Sequence, residues 1–147
     1  MQIQRWESQV TMRKLLMLST LAAMFVAAPV LAQRVTIDLK DYDDDLMHDI
    51  DRVIKYFEPD ISGQNADAAR DDIAELRRGF NYTEDYFSKK GNTQDAVDIS
   101  RQGLQSLDIV SKELEAQNFD GAAEAARDVS KACRSCHDTY KPDKARF

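Results

Sequence analysis

Residues 120–137 read DGAAEAARDVSKACRSCH, and this stretch near the C-terminus decides the fold that we expect for the chain. Its small and apolar side chains recur at spacings of three and four, which is the period of one face of an α-helix. Asp120 is expected to cap the first turn of that helix. The stretch therefore predicts an amphipathic helix whose apolar face ends in Cys133 and Cys136.

The motif Cys133-Arg134-Ser135-Cys136-His137 is Cys-x-x-Cys-His, the attachment signature of c-type haem. Two thiols one helical turn apart can add to the two vinyl groups along one edge of a porphyrin, and the adjacent imidazole of His137 can bind the iron. A thioredoxin-like redox pair, half of a zinc site and a disulfide are the alternatives. The first calls for a βαβ pattern and the second for four ligands, whereas the chain offers only His48 as a further histidine.

Residues 1–32 have the pattern of a secretory signal peptide. Arg13 and Lys14 precede an apolar run, which ends in the small-residue cleavage site Val30-Leu31-Ala32. The run is shorter than the roughly 20 apolar residues that a membrane span needs. We expect cleavage after Ala32 and a single mature domain over residues 33–147, with no membrane span. Residues 1–11 are polar and long for such a leader, which makes Met12 a candidate start.

Export agrees with the motif, because covalent haem attachment in bacteria takes place outside the cytoplasm. We therefore expect a periplasmic protein with one covalently attached haem c. Removal of residues 1–32 takes away three basic residues and one acidic residue, which leaves 17 basic against 25 acidic side chains, a net charge of −8. Such a surface disfavours nucleic acid and anionic membranes and suits a basic redox protein as partner, although plain solubility is the simpler explanation.

The remainder of the mature chain is helical in its periodicity as well. Breaks at Pro59 and Gly63, at residues 91–93 and at residues 118–121 separate four segments of helical length. Four amphipathic helices with short connections predict an all-α fold, an antiparallel four-helix bundle with the haem on its C-terminal helix. The predicted core stripes are Leu39, Leu46, Ile50, Val53 and Phe57; Ala69, Ile73, Leu76, Phe80, Thr83 and Phe87; Val97, Ser100, Leu104, Leu107, Ser111 and Leu114; and Ala122, Ala125, Ala126, Val129, Ala132, Cys133 and Cys136.

The last predicted helix is rich in alanine before Cys133. Small side chains here would let a porphyrin or a neighbouring helix approach closely, and alanine is also the best helix former. The sequence leaves these explanations open.

A Cys-x-x-Cys-His motif on the last helix of such a bundle, with Tyr140 three residues after His137 and Lys141 next, resembles the class II cytochromes c, the cytochrome c prime family. The resemblance covers the mature chain in architecture and is specific in sequence only over the last helix. It implies thioether bonds at Cys133 and Cys136 and makes His137 the proximal iron ligand. Dimerisation through the first two helices is common in the family, but that surface is strongly acidic here, so a monomer and a homodimer are both left open.

The family's distal side is either open, so that the iron binds gases, or closed by a methionine of the first helix. Met47 and His48 are the candidates here, because both side chain types bind haem iron. At about 100° per residue, Met47 lies on the flank of the apolar stripe and His48 lies almost opposite to it. We expect Met47 to be the distal ligand, as in low-spin members, and His48 to be solvated; simple core packing by Met47 is the alternative.

These expectations describe a low-spin haem with His137 and Met47 as ligands, which carries single electrons between periplasmic redox proteins. The alternative is a five-coordinate protein that binds or senses NO or CO. An enzyme such as a small peroxidase needs an open iron and a distal acid–base group, so we expect no enzymatic activity. Asp43, one turn before Met47, either tunes the distal side or belongs to a solvated helix start, and we favour the helix start.

Overall fold

Four α-helices make up most of residues 37–141, the part of the chain that the computed structural model describes. Within that range no strand occurs, so the all-helical prediction is confirmed there. The predicted signal peptide and its cleavage site lie outside the described residues. The helices are α1 (Asp44–Ser62), α2 (Ala66–Lys90), α3 (Gln94–Glu115) and α4 (Phe119–Tyr140).

Each helix packs against the next one along the chain, and α1 also packs against α4, which is consistent with a helical bundle. The predicted stripe of α2 is buried along its whole length. In α3, Val110 is buried while the predicted Leu104 is half-buried. Leu39 precedes α1 rather than forming part of its stripe. Among residues 37–141, no helix has the length and apolar character needed to cross a bilayer.

The first and third connections, residues 63–65 and 116–118, have the same geometry. In each, a glutamine has a positive φ angle, 60° for Gln64 and 56° for Gln117. An asparagine follows whose side chain caps the next helix: Asn65 caps α2 and Asn118 caps α4. Capping side chains satisfy backbone N–H groups that have no partner within the helix. In both connections, a glutamine with positive φ followed by a capping asparagine begins the next helix.

Two predicted boundaries are wrong. The helix cap is Asn118 rather than Asp120, because α4 begins at Phe119 and the Asn118 side chain accepts from the Gly121 N–H at 3.2 Å. The predicted break at Pro59 does not occur, since α1 continues to Ser62. Proline removes one helical hydrogen bond, but the last turn buries Ile61 completely and is closed by the Gly63 N–H, 2.8 Å from the Pro59 carbonyl oxygen.

One carboxylate of α2 is placed unfavourably for the folded state. Asp72 is half-buried, and one of its oxygens has no hydrogen-bond partner. Burial, together with the charges of Asp60 and Asp71, raises the pKa of Asp72 from 3.8 to about 6. A carboxyl group whose pKa is higher in the folded chain than in the unfolded chain favours folding only when it is protonated, so its charged form opposes folding at neutral pH.

We expect Asp72→Asn to raise the free energy of unfolding at pH 7 by about 1 kcal/mol, a figure that allows for the solvent still reaching this side chain. The gain should shrink as the pH falls through 6 and disappear near pH 4, where the wild-type carboxyl is also neutral. Urea unfolding across this pH range measures the effect. Asp85→Asn, at an exposed position of the same helix, is the matched control, and an equal gain at both ends of the range would contradict the explanation.

Candidate functional site

A cavity of about 760 Å³ lies among the helices. Its volume is within the range of about 300–1,000 Å³ that is usual for small-molecule and cofactor sites. The lining comes from all four helices and from residues 37–42, which precede α1. The helical lining residues are Asp44, Met47, His48, Ile50, Asp51 and Ile54 of α1; Leu76, Gly79, Phe80, Thr83 and Phe87 of α2; Ile99 and Ser100 of α3; and Cys133, Cys136, His137 and Tyr140 of α4.

One face of α4 presents both cysteines to this cavity. Cys133 and Cys136 are one helical turn apart, both are half-buried, and both are free thiols. His137 is half-buried and lines the same space. The structure therefore brings together the three residues of the predicted attachment motif on one wall.

Burial raises the pKa of the Cys133 thiol to about 12 and that of the Cys136 thiol to about 11. Both side chains are therefore protonated at neutral pH. Redox-active cysteines of the thioredoxin type have a lowered pKa, because the thiolate is the reacting form. The environment of these two thiols is thus unlike that of a nucleophilic redox pair.

The surroundings of His137 favour the neutral form of its imidazole. Burial lowers its pKa, and so does the nearby charge of Lys141, whereas Asp51 and Asp138 act in the opposite direction. A neutral imidazole nitrogen is the form that binds metals. Across residues 37–141, no three His, Cys, Asp or Glu side chains are grouped so that they could hold a metal ion.

Another wall of the cavity is built by α1. Met47 is half-buried and lines the cavity together with Ile50 and Ile54. His48 is exposed, as expected, but it also borders the cavity. Met47 and His137 thus line the same cavity, and His48 borders that cavity with its side chain exposed to solvent.

Room for the cavity comes from two small residues, of which the sequence analysis placed Ser100 in a core stripe and did not name Gly79. Gly79 and Ser100 line it from α2 and α3, and the Ser100 hydroxyl donates to the Ala96 carbonyl within its own helix, at 2.8 Å. A Cβ atom at Gly79 would lie 2.8 Å from Ile50 Cγ1, so glycine permits the close approach of α1 and α2. The buried alanines of α4 belong to the main core and not to the described lining, so they serve helix packing.

Tyr140 closes the end of the cavity next to the motif. It is buried, and its ring centroid is 4.7 Å from that of Phe87. Its hydroxyl donates to the Asp95 carboxylate, which links α4 to α3. Burial, followed by this hydrogen bond, raises the pKa of Tyr140.

Residues 37–42 were not predicted to take part in the site, yet most of them line it. The feature of the sequence that comes nearest to indicating this packing is the presence of three tyrosines, Tyr42, Tyr82 and Tyr86. Their rings form one cluster, with centroids 4.7–6.2 Å apart. Nothing local in the sequence indicates that this segment returns to a helix more than forty residues later.

Comparison of the chain with protein-family models, with curated proteins and with solved structures found no match. The chemistry of the site must therefore be inferred from the residues that line the cavity.

We expect Tyr140→Phe to lower the free energy of unfolding by about 1.5 kcal/mol, because the change removes a hydrogen bond to a carboxylate while keeping the buried ring. Urea unfolding measures the difference. Tyr56→Phe is the matched control, since the Tyr56 side chain is 67% exposed. Equal losses in the two variants would show that the bond to Asp95 contributes nothing.

Proposed function

We propose that this protein is a periplasmic monohaem c-type cytochrome that carries single electrons, with the haem bound covalently and ligated by His137 and Met47. The observation that carries the proposal is that Cys133, Cys136, His137 and Met47 line one cavity. The first three come from one face of α4, and the fourth comes from α1, which packs against α4.

The size of the cavity supports a large ligand. At about 760 Å³ it falls within the range of small-molecule and cofactor sites, and it opens to solvent between the helices. Its lining is mostly apolar and includes the aromatic rings of Phe80, Phe87 and Tyr140, which suits a porphyrin.

Each residue of the site has a role that fits its position. The thiols of Cys133 and Cys136 would each add across a vinyl group and hold one edge of the ring against α4. The neutral imidazole of His137 would bind the iron from the same helix. The thioether of Met47 would close the other side, and histidine–methionine ligation raises the reduction potential. The haem supplies the one-electron chemistry.

The remaining lining residues would control the surroundings of the iron. Ile50, Leu76 and Phe80 are buried apolar side chains of the lining, and they would keep water away from the ring. A dry, low-dielectric site disfavours the extra charge of the oxidised state and so favours the reduced one. Packing of both candidate ligands on neighbouring helices would limit structural change on electron transfer.

We also propose that the four helices run antiparallel to their neighbours. The supporting observation is that each connection has only three residues, 63–65, 91–93 and 116–118. Connections of this length join antiparallel neighbours in helical bundles. This arrangement would carry the site at one end of the bundle, where α1 begins and α4 ends.

The proposal includes export and a redox partner. The pattern of residues 1–32 supports secretion to the periplasm, where covalent attachment takes place. The net charge of −8 that remains after cleavage supports a partner protein with a basic surface.

The first test is the visible spectrum of the ferric mature protein. We expect a low-spin spectrum for the wild type and a high-spin spectrum for Met47→Ala, because loss of the thioether opens one coordination position. Ile54→Ala is the matched control: Ile54 lines the cavity from the same helix but cannot bind iron, so this variant should stay low-spin.

A wild-type protein that is already high-spin, and that Met47→Ala leaves unchanged, would exclude the proposed distal ligand. It would favour the five-coordinate, gas-binding alternative, in which CO binds the ferrous protein without displacing a side chain.

The second test is covalent attachment. We expect Cys133→Ser/Cys136→Ser to lose all haem staining on a denaturing gel, and each single variant to lose part of it, because each thiol supplies one bond. Ser135→Ala changes an exposed residue between the two cysteines and should stain like the wild type. Staining that survives the double substitution would contradict thioether attachment at this motif.

A further inference from the structure

Residues 37–42, which we call the strap, lie along the cavity before α1 begins. Every one of them except Asp41 lines the cavity. The strap has a local turn of its own, in which the Tyr42 N–H donates to the Leu39 carbonyl at 2.9 Å and the Lys40 N–H donates to Asp38 Oδ1 at 3.0 Å. It is therefore an ordered, non-helical wall of the site.

The apolar side chains of the strap pack on an aromatic cluster that is separate from the main core. Ile37, Leu39 and Tyr42 contact this cluster, whose buried members are Tyr86, Phe87, Ala96, Val97 and Tyr140. The Tyr42 ring meets the Tyr86 ring edge-on, with centroids 4.7 Å apart. The strap thus depends on a small cluster at one end of α2 rather than on the core of the bundle.

Polar contacts of Tyr86 and Lys90 with the strap, which we call the latch, add to this packing. Lys90 Nζ donates to the Asp38 carbonyl oxygen at 3.2 Å and to Asp41 Oδ1 at 2.8 Å. The Tyr86 hydroxyl lies 3.0 Å from the same Asp41 oxygen and 3.3 Å from the Asp38 carbonyl oxygen. Lys90 Nζ is also 4.8 Å from the centroid of the Tyr86 ring. Tyr86 and Lys90 lie one turn apart on α2. Both therefore hydrogen-bond to the same two strap oxygens, the Asp38 carbonyl oxygen and Asp41 Oδ1.

The latch is weak compared with the core. The Asp41 side chain is 71% exposed and that of Lys90 is 27% exposed. Ion pairs in such positions contribute about 0–1 kcal/mol. Segments held by few buried contacts open locally while the rest of the protein remains folded. The strap can accordingly open without unfolding of the bundle, and the latch opposes that opening together with the Tyr42 hydroxyl, which lies 2.8 Å from Thr83 Oγ1.

We propose that Tyr86 and Lys90 are positioning residues that hold the strap along the cavity, so that it keeps water and small exogenous iron ligands from one side of the cofactor. The shielding rests on the proposed function, whereas the latch itself does not. Neither residue touches the iron in this proposal; both act through the strap.

The latch is tested by hydrogen–deuterium exchange of the amides of residues 38–42 in the mature holoprotein. Tyr86→Phe/Lys90→Gln removes the hydroxyl and the cation and leaves the aromatic ring. We expect exchange in the strap to accelerate about threefold to tenfold, the factor that corresponds to a loss of around 1 kcal/mol. Lys89→Gln, at an exposed neighbouring lysine, is the matched control, and Lys90→Arg should restore slow exchange.

The shielding is tested by the rate at which imidazole binds the ferric iron. The measurement uses Met47→Ala as the background, so that the methionine does not compete with the added ligand. In that background we expect the latch variants to bind imidazole faster by about the same factor as their exchange increases, while Lys89→Gln binds at the unchanged rate.

Asp41→Asn removes the charge of the acceptor in the strap and leaves Tyr86 and Lys90 unchanged. This single variant keeps the proposal testable if the double variant does not fold. We expect it to accelerate exchange similarly, and the effects of Asp41→Asn and Lys90→Gln should be less than additive, because both changes remove the ion pair between Lys90 and Asp41. Unchanged exchange in these variants would overturn the latch. Faster exchange with unchanged imidazole binding would overturn the shielding. Absence of haem would overturn the proposed function and the shielding with it, and exchange would still decide the latch.

Discussion

Close packing of α4 against α3 along a stripe of alanines is the constraint on which the rest of the structure depends. Ala122, Ala125 and Ala126 are buried, as are Leu107 and Leu114 of α3. These small and large side chains belong to one buried core cluster, and close packing of this kind is usual in protein interiors. Toward the C-terminus of α4 the inward positions are taken by Cys133 and Cys136. Both cysteines line the cavity, and Cys133 packs against the main core while Cys136 packs against the aromatic cluster.

The cavity is bounded by two apolar clusters with different characters. Ile50, Leu76 and Phe80 belong to the main core, whereas Phe87 and Tyr140 belong to the aromatic cluster. The first cluster is mainly aliphatic, with Phe57 and Phe80 among its members, and it holds the four helices together. The second has polar hydroxyl groups that bond to Asp41, Thr83 and Asp95 at its edge. The cavity thus has one wall formed by the main core and another formed by aromatic rings with hydrogen-bonded hydroxyl groups.

The sequence predicts the helices well where burial alone decides them. The stripe from Ala69 to Phe87 repeats at three and four residues, and every member is buried. Leu39 fits the stripe of α1 by its spacing of seven from Leu46, but Asp43 caps the helix with its side chain and ends the pattern there. The strap could not be predicted, because its partners Tyr86 and Lys90 lie 45 to 52 residues away. Contacts at that separation leave no periodic trace.

Asp43 contributes to the site by hydrogen bonds that position the start of α1, rather than by placing its charge near the cavity. It is exposed, its side chain accepts from the Leu46 N–H at 2.9 Å, and its own N–H donates to the Tyr82 hydroxyl at 2.9 Å. Its carbonyl accepts from the Met47 N–H at 3.2 Å. Asp43 thus fixes the start of α1 against α2 and, one turn on, the direction of Met47. Because Tyr82 and Tyr86 share a face of α2, the strap and the candidate distal ligand are anchored to the same helix, and a shift of that face would move both.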